Sequence, residues 1–143
     1  MKKMSNNLKL TNQLCFPFYA ISRKITQIYT PLLNKIDLTY PQYLIMLLLW
    51  ENNWVLIKEI CQKLYLETNT ISPILKTLEK KSLIIKQKKP WNNKETFIFL
   101  TKAWEDLKLK ALEIPEKLIK EFSFDEKYLK DLHANLWQFL GKI

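Results

Sequence analysis

Apolar side chains recur along most of this chain at helical spacing, and the pattern changes character in one short stretch. Leu14, Phe18, Ile21, Ile25, Ile28 and Leu32 follow one another at intervals of four and three. That spacing predicts an amphipathic helix over about 10–36, with a seam like that of a coiled coil. Pro31 falls inside the pattern and predicts a kink or a weak point, because its ring fixes φ and removes an amide donor. Thr39-Tyr40-Pro41 reads as a second helix start, with Thr39 or Tyr40 near the cap and Pro41 in the first turn. The segment that follows, about 41–52, is apolar on nearly all sides and is expected at the centre of the domain.

A short helix with Ile57, Ile60 and Leu64 on one face comes next, then the connector Tyr65-Leu66-Glu67. Thr68, Asn69 and Thr70 offer side-chain oxygens for a cap. Ile71, Ile74, Leu75 and Leu78 carry the next helix to about Lys81, with Pro73 tolerable near its start. Two short helices joined by a tight turn, the second beginning polar, make a helix-turn-helix. Then Leu83-Ile84-Ile85 and Thr96-Phe97-Ile98-Phe99-Leu100, β-branched and aromatic, flank a polar loop. Strand, loop and strand directly after a helix-turn-helix make a wing. Helices return at about 102–121 and 125–140, the last capped by Asp125 and striped by Tyr128, Leu132, Leu136 and Phe139. The predicted fold is mainly α with a small β-hairpin: one winged helix-turn-helix domain of 143 residues.

Composition narrows the function. A single glycine, Gly141, argues against glycine-rich phosphate loops and dinucleotide fingerprints. Cys15 and Cys61 make no disulfide framework, so a reducing compartment is expected. Met1-Lys2-Lys3 leads into polar sequence rather than a signal peptide, and the apolar run Tyr43–Trp50 is too short to span a bilayer. A cytoplasmic protein with no membrane partner is the expectation. His133 stands alone, without a metal-ligand cluster, so neither metal nor cofactor is predicted.

Charge then points to a partner. The net charge is +9. Between Thr68 and Lys94, lysines 76, 80, 81, 86, 88, 89 and 94 face Glu79 alone, so seven minus one leaves +6 in this stretch. A lysine-rich solvated surface is the bland reading of such a cluster. Its coincidence with a helix-turn-helix and a hairpin favours double-stranded DNA. Thr68, Asn69, Thr70 and Ser72 suit base readout or capping. Lys76 lies one turn on, within reach of phosphate or guanine. Lys86, Lys88, Lys89 and Lys94 suit backbone contacts tunable by salt.

Several segments also resemble a known family. Leu14-Cys15-Phe16, Phe18-Tyr19-Ala20, Thr39-Tyr40-Pro41-Gln42-Tyr43-Leu44, Leu64-Tyr65-Leu66 and Thr70–Lys76 are similar to the organic hydroperoxide resistance repressors, a branch of the MarR family. The resemblance covers about residues 8–120. It implies a winged-helix homodimer on palindromic DNA, with 1–38 and 102–143 dimerising and 39–101 forming the DNA-binding lobe. It further implies that Cys15, supported by Tyr19, Tyr29 and Tyr40, is oxidised to a sulfenic acid and then to a mixed disulfide with a low-molecular-weight thiol, which releases DNA. Three features depart from the branch. Asn92-Asn93-Lys94 replaces an Asp and Arg two apart in the wing, leaving Lys94 a less oriented substitute. Pro90-Trp91 at the wing tip is unusual, and Pro17 stands where a helix-compatible apolar residue is normal.

Geometry bears on the sensor. A reactive thiol needs nearby donors or positive potential. A helix beginning near Cys15 offers amide donors, and tyrosine hydroxyls add more. Cys15 and Tyr29 lie 14 positions apart, roughly 21 Å along a straight helix. Both can serve one site only if Tyr29 comes from a symmetry mate across a two-fold axis. The alternative for Cys15 is a buried, inert thiol. Cys61 is expected to pack. Two other functions stay open: a MarR-type regulator answering a phenolic or apolar ligand, and a thiol peroxidase. Against the latter, no cysteine lies at a resolving spacing and no arginine or histidine neighbours Cys15.

Overall fold

The structure, a computed structural model, describes residues 6–143, apart from the side chains of Lys89, Asn92 and Asn93. The Met1–Lys3 leader and the contacts expected of the Lys89 side chain lie outside the described residues. After a single 3₁₀ turn at Leu10–Asn12 come α1 (Cys15–Asn34), α2 (Tyr40–Asn52), β1 (Trp54–Leu56), α3 (Ile57–Leu64) and α4 (Thr68–Lys80). The chain continues through β2 (Ile84–Lys89), β3 (Asn92–Leu100), α5 (Trp104–Ala111), α6 (Glu113–Glu121) and α7 (Glu126–Leu140).

α1 begins at Cys15 itself, five residues later than the apolar spacing suggests. Pro17 explains the start, since proline is tolerated only where its missing amide would be unpaired. Pro31 does not end the helix, which runs three residues further.

α2 opens on a reciprocal cap. Thr39 Oγ1 accepts from the Gln42 amide (3.4 Å), and Gln42 Oε1 accepts from the Thr39 amide (3.1 Å). Gln42 is a buried polar residue, and Lys81 Nζ donates to its Oε1 at 3.4 Å while pairing with Asp37 Oδ2 at 3.2 Å. This network ties the start of α2 to the end of α4. Thr39→Ala is expected to cost about 1 kcal/mol, read as a melting temperature lowered by roughly 2–5 °C.

The core lies where the all-round apolar helix predicts it. Tyr43, Ile45, Met46 and Leu49 of α2 pack with Ile60 of α3 and with Ile71, Leu75 and Leu78 of α4. Val55, Ile84 and Ile98 contribute from the sheet, and Leu33, Ile36, Ala111 and Ile114 close the cluster from the flanking helices. α7 buries nothing.

Three expectations need correcting. The sheet has three antiparallel strands in the order β1-β3-β2, not a lone hairpin, because Val55 pairs with Ile98 across more than forty residues. The strands also run through the stretch read as a polar loop, with Lys88 opposite Thr96, which leaves only Pro90-Trp91 as the turn. The helix expected over 102–121 breaks at Leu112, since Pro115 cannot donate to Ala111 and its ring crowds that carbonyl.

Helix ends here do without glycine. Asn53 and Tyr65 close α2 and α3 with φ of 60° and 54°, whereas Gly141 sits at −72°.

Candidate DNA-binding surface and thiol site

α4 turns Ile71, Leu75 and Leu78 inward at helical spacing, and that choice fixes what faces solvent. Thr68, Asn69, Thr70, Ser72 and Lys76 are all exposed. Contrary to the capping reading, the cap residue is Glu67, and no side chain bonds there. Thr68, Asn69 and Thr70 occupy the first turn instead, so capping does not consume their side chains. Ser72 Oγ donates to the Thr68 carbonyl at 2.8 Å. Pro73, in the second turn, cannot donate to the Asn69 carbonyl. A polar helix start thus stands open to a partner.

The wing lies beside that helix start. Thr68, Lys94 and Thr96 line one cavity together with Ile57, Lys58 and Cys61 of α3. Cys61 Sγ is 3.6 Å from Thr68 Oγ1. Lys88 and Lys94 are exposed. Lys86 is half-buried and pairs with Glu79 of α4 at 3.2 Å, so it fastens the wing to the helix. Lys81 likewise turns to Asp37 rather than outward. The basic cluster therefore divides into lysines that hold the lobe together and lysines that face solvent. Spacing along the sequence cannot make that division.

At the other end of the molecule, Cys15 is exposed on the first turn of α1. A buried thiol is excluded within the chain. One turn on, the Tyr19 hydroxyl accepts from Arg23 at 3.1 Å, and the guanidinium lies 5.7 Å from the ring centroid. Tyr29 and Tyr40 are brought together, their ring centroids 4.7 Å apart. Tyr43 joins them at 5.9 Å from Tyr29. Sequence reasoning passed over Tyr43, although its place three residues after Tyr40 puts both on one face of α2. Fourteen helical residues keep Cys15 away from this cluster within one chain.

Burial, and then the neighbouring Tyr40 and Tyr43, push the Tyr29 hydroxyl up to about 12, and burial raises Tyr40 and Tyr43 as well. These phenols stay neutral donors at physiological pH. A tyrosine raised above its unfolded value of 10.0 stabilises the fold below pH 10, and that contribution is lost as pH climbs towards 12. Tyr29→Phe is expected to flatten the loss of stability between pH 10 and 12, followed by denaturant unfolding at each pH.

A cleft that the sequence did not announce runs between α1 and α7. It has a volume of about 920 Å³ and an apolar lining that includes Phe18, Ile21, Tyr40, Leu132, Leu136 and Phe139. Phe18 and Phe139 stack across it at 5.0 Å. Pro17 lies on its rim, two positions from Cys15. Beyond the cleft, Leu14, Leu112, Ile119, Phe124 and Trp137 are exposed. His133, solitary in sequence, accepts from the Trp137 indole at 3.0 Å.

Helix-turn-helix, adjoining basic wing and long flanking helices define a winged-helix regulator. The sequence pattern of the MarR family matches residues 38–96. The organic hydroperoxide resistance transcriptional regulator of Bacillus subtilis is 39% identical over 140 residues, covering 98% of this chain and 95% of that protein. The regulator SarZ of Staphylococcus aureus is 32% identical, over 95% of this chain and 92% of its own. Reduced AbfR bound to DNA superposes with a TM-score of 0.78 at 30% identity, covering 99% of both chains. This chain belongs to the MarR family. It is a DNA-binding transcriptional regulator and not an enzyme.

Proposed function

We propose that the chain is a homodimeric repressor of a palindromic operator, released when an organic hydroperoxide oxidises Cys15. One observation carries the reading: the exposed Cys15 opens α1 two residues before Pro17, which lines an apolar cleft between terminal helices that leave large apolar side chains exposed. The cleft suits the carbon tail of a hydroperoxide, and the thiol suits its oxygen. The Cys15 sulfur takes the terminal oxygen, giving the sulfenic acid and an alcohol. A low-molecular-weight thiol then condenses with it to a mixed disulfide, releasing water.

Dimerisation follows from the unpartnered apolar surface. α7 is fifteen residues long with no buried residue, and a helix needs packing to persist in water. Residues 1–38 and 102–143 supply this interface, and 39–101 read DNA. Tyr29, held neutral beside Tyr40, would reach Cys15 of the second copy if the first helices cross antiparallel. In such a dimer an adduct on Cys15 wedges the helices that set the spacing between the two recognition helices, about 34 Å for adjacent major grooves. Thr68, Asn69, Thr70, Ser72 and Lys76 meet base edges or phosphate. Exposed Lys88 and Lys94 follow the backbone, while Lys86 keeps the wing fastened to α4 through Glu79. No helix among the described residues is long and apolar enough to cross a membrane, which accords with a cytoplasmic regulator.

The test is a gel shift with a selected palindromic duplex, with and without cumene hydroperoxide and a small thiol. Release on oxidation and rebinding after dithiothreitol are expected. Binding that persists on fully oxidised protein overturns the proposal. The cleft also favours a second reading, since the Tyr40 hydroxyl within an apolar lining suits a phenol. Release by phenols from a Cys15→Ser protein would select that version.

A further inference from the structure

The wing tip carries a feature that phosphate contacts leave unused. Pro90-Trp91 is the two-residue turn between Lys89 and Asn92. Trp91 is 81% exposed, and its indole makes no ring contact or hydrogen bond among the described residues. No other tryptophan is so bare: Trp54 meets Phe97 with tilted rings 5.3 Å apart, Trp137 bonds His133, and Trp50 and Trp104 pack against the core. Pro90 removes backbone freedom from the turn, so the indole is presented on a stiff tip.

The position of that tip argues for its partner. Lys86 opposite Ile98 is the last strand pair that reaches the core, and Lys89 lies about 10 Å further out at the usual rise per residue. Lys94 and Thr96 on the returning strand share a cavity with Thr68, so the hairpin leaves the lobe beside the polar start of α4. A duplex whose major groove receives α4 offers its flanking minor groove to an element extending on from that side. Exposed Lys88 asks for an anionic partner, while the indole asks for a flat apolar one. The minor groove supplies both, with phosphates along its rims and deoxyribose C–H groups as walls.

Resting on the DNA-binding reading, we propose that Trp91 inserts edge-on into the minor groove flanking each half-site, as a shape contact that prefers A·T pairs. At about 6 Å the groove admits a flat ring but not a second layer, and a G·C pair places the guanine amino group on its floor. An indole excluded by that amino group selects A·T flanks without hydrogen-bonding a base. In this chain the wing thus reads through a rigid apolar blade at its tip.

The test uses the full-length protein and a duplex selected from a randomised pool, remade with A·T or G·C flanks, with affinity followed by fluorescence anisotropy over a salt series. Trp91→Ala should weaken binding to the A·T-flanked duplex roughly tenfold, as expected for one large apolar side chain left unburied. Its salt slope should stay unchanged, whereas Lys88→Ala lowers the slope by about one. The unsubstituted protein should prefer A·T flanks, Trp91→Ala should lose that preference, and Trp91→Phe should keep most of it. Thermal unfolding of each variant separates contact from folding. If Trp91→Ala binds within twofold while Lys88→Ala weakens, the insertion is wrong and the DNA reading stands. If neither substitution matters, the placement of the wing on DNA fails with it. Loss by Trp91→Ala of binding to phosphatidylglycerol vesicles, with DNA affinity intact, overturns the proposal in favour of a membrane.

Discussion

A Cys15→Ser protein is expected to bind DNA as tightly as the unsubstituted chain and to stay bound when an organic hydroperoxide is added. Serine keeps the size and helix position of Cys15 but has no thiolate to take up oxygen, so the chemical step disappears and the packing does not. For the unsubstituted protein, oxidation should weaken binding by at least roughly tenfold, the equivalent of about 1.4 kcal/mol of differential affinity between two states. Cys61→Ser is the matching control. Cys61 is partly buried on α3 beside Thr68, far in sequence from the exposed apolar face, and its substitution should leave the peroxide response intact. Anisotropy of a labelled duplex under a hydroperoxide titration reads all three proteins.

The other large effect concerns assembly. Leu132→Glu combined with Leu136→Glu should convert the protein to a monomer at micromolar concentration and lower operator affinity on the order of a hundredfold or more, as two half-sites cease to act as one bivalent contact. Both leucines line the apolar cleft and remain exposed in the single chain, at 38% and 44%. A carboxylate buried there by a second copy would lack a partner. The lobe itself should survive, because the core draws on α2, α3, α4 and the sheet, and α7 contributes no buried residue. Sedimentation velocity with thermal unfolding of the same samples checks both halves. A dimer that persists with unchanged affinity would place the interface elsewhere.

Legibility in the sequence followed how local each determinant is. The cap at Thr39, the inward face Ile71-Leu75-Leu78 and the Asp125 cap depend on neighbours within a turn or two, and the structure holds all three. β1 was missed because three residues running straight into a helix carry no turn signal, and what makes Trp54–Leu56 a strand is β3, far along the chain. The break at Leu112 was signalled by Pro115, yet the apolar pattern on either side hid it. Glu67 rather than Thr68, Asn69 or Thr70 is the cap residue of α4, two positions after the left-handed Tyr65 that closes α3, and residue type announces neither. The candidate site divides in the same way. Cys15, Tyr29 and Tyr40 were named from the sequence, but the ring contact between the tyrosines, the addition of Tyr43 and the cleft spanned by Phe18 and Phe139 arise only when separate helices pack. The sorting of lysines into ties of the lobe and exposed side chains is tertiary too, since Lys81 and Lys86 are spent on Asp37 and Glu79.

The most direct trial of the whole account follows two quantities in one tube. Protein bound to a labelled operator duplex is given sub-stoichiometric steps of cumene hydroperoxide with a small thiol, and each step is split between intact-mass spectrometry and anisotropy. The fraction of chains carrying an adduct at Cys15 should rise in step with the fraction of duplex set free, and both should reverse with dithiothreitol. Duplex still held when every Cys15 is modified, or released while Cys15 remains a free thiol, would contradict the coupling between α1 and the recognition helices.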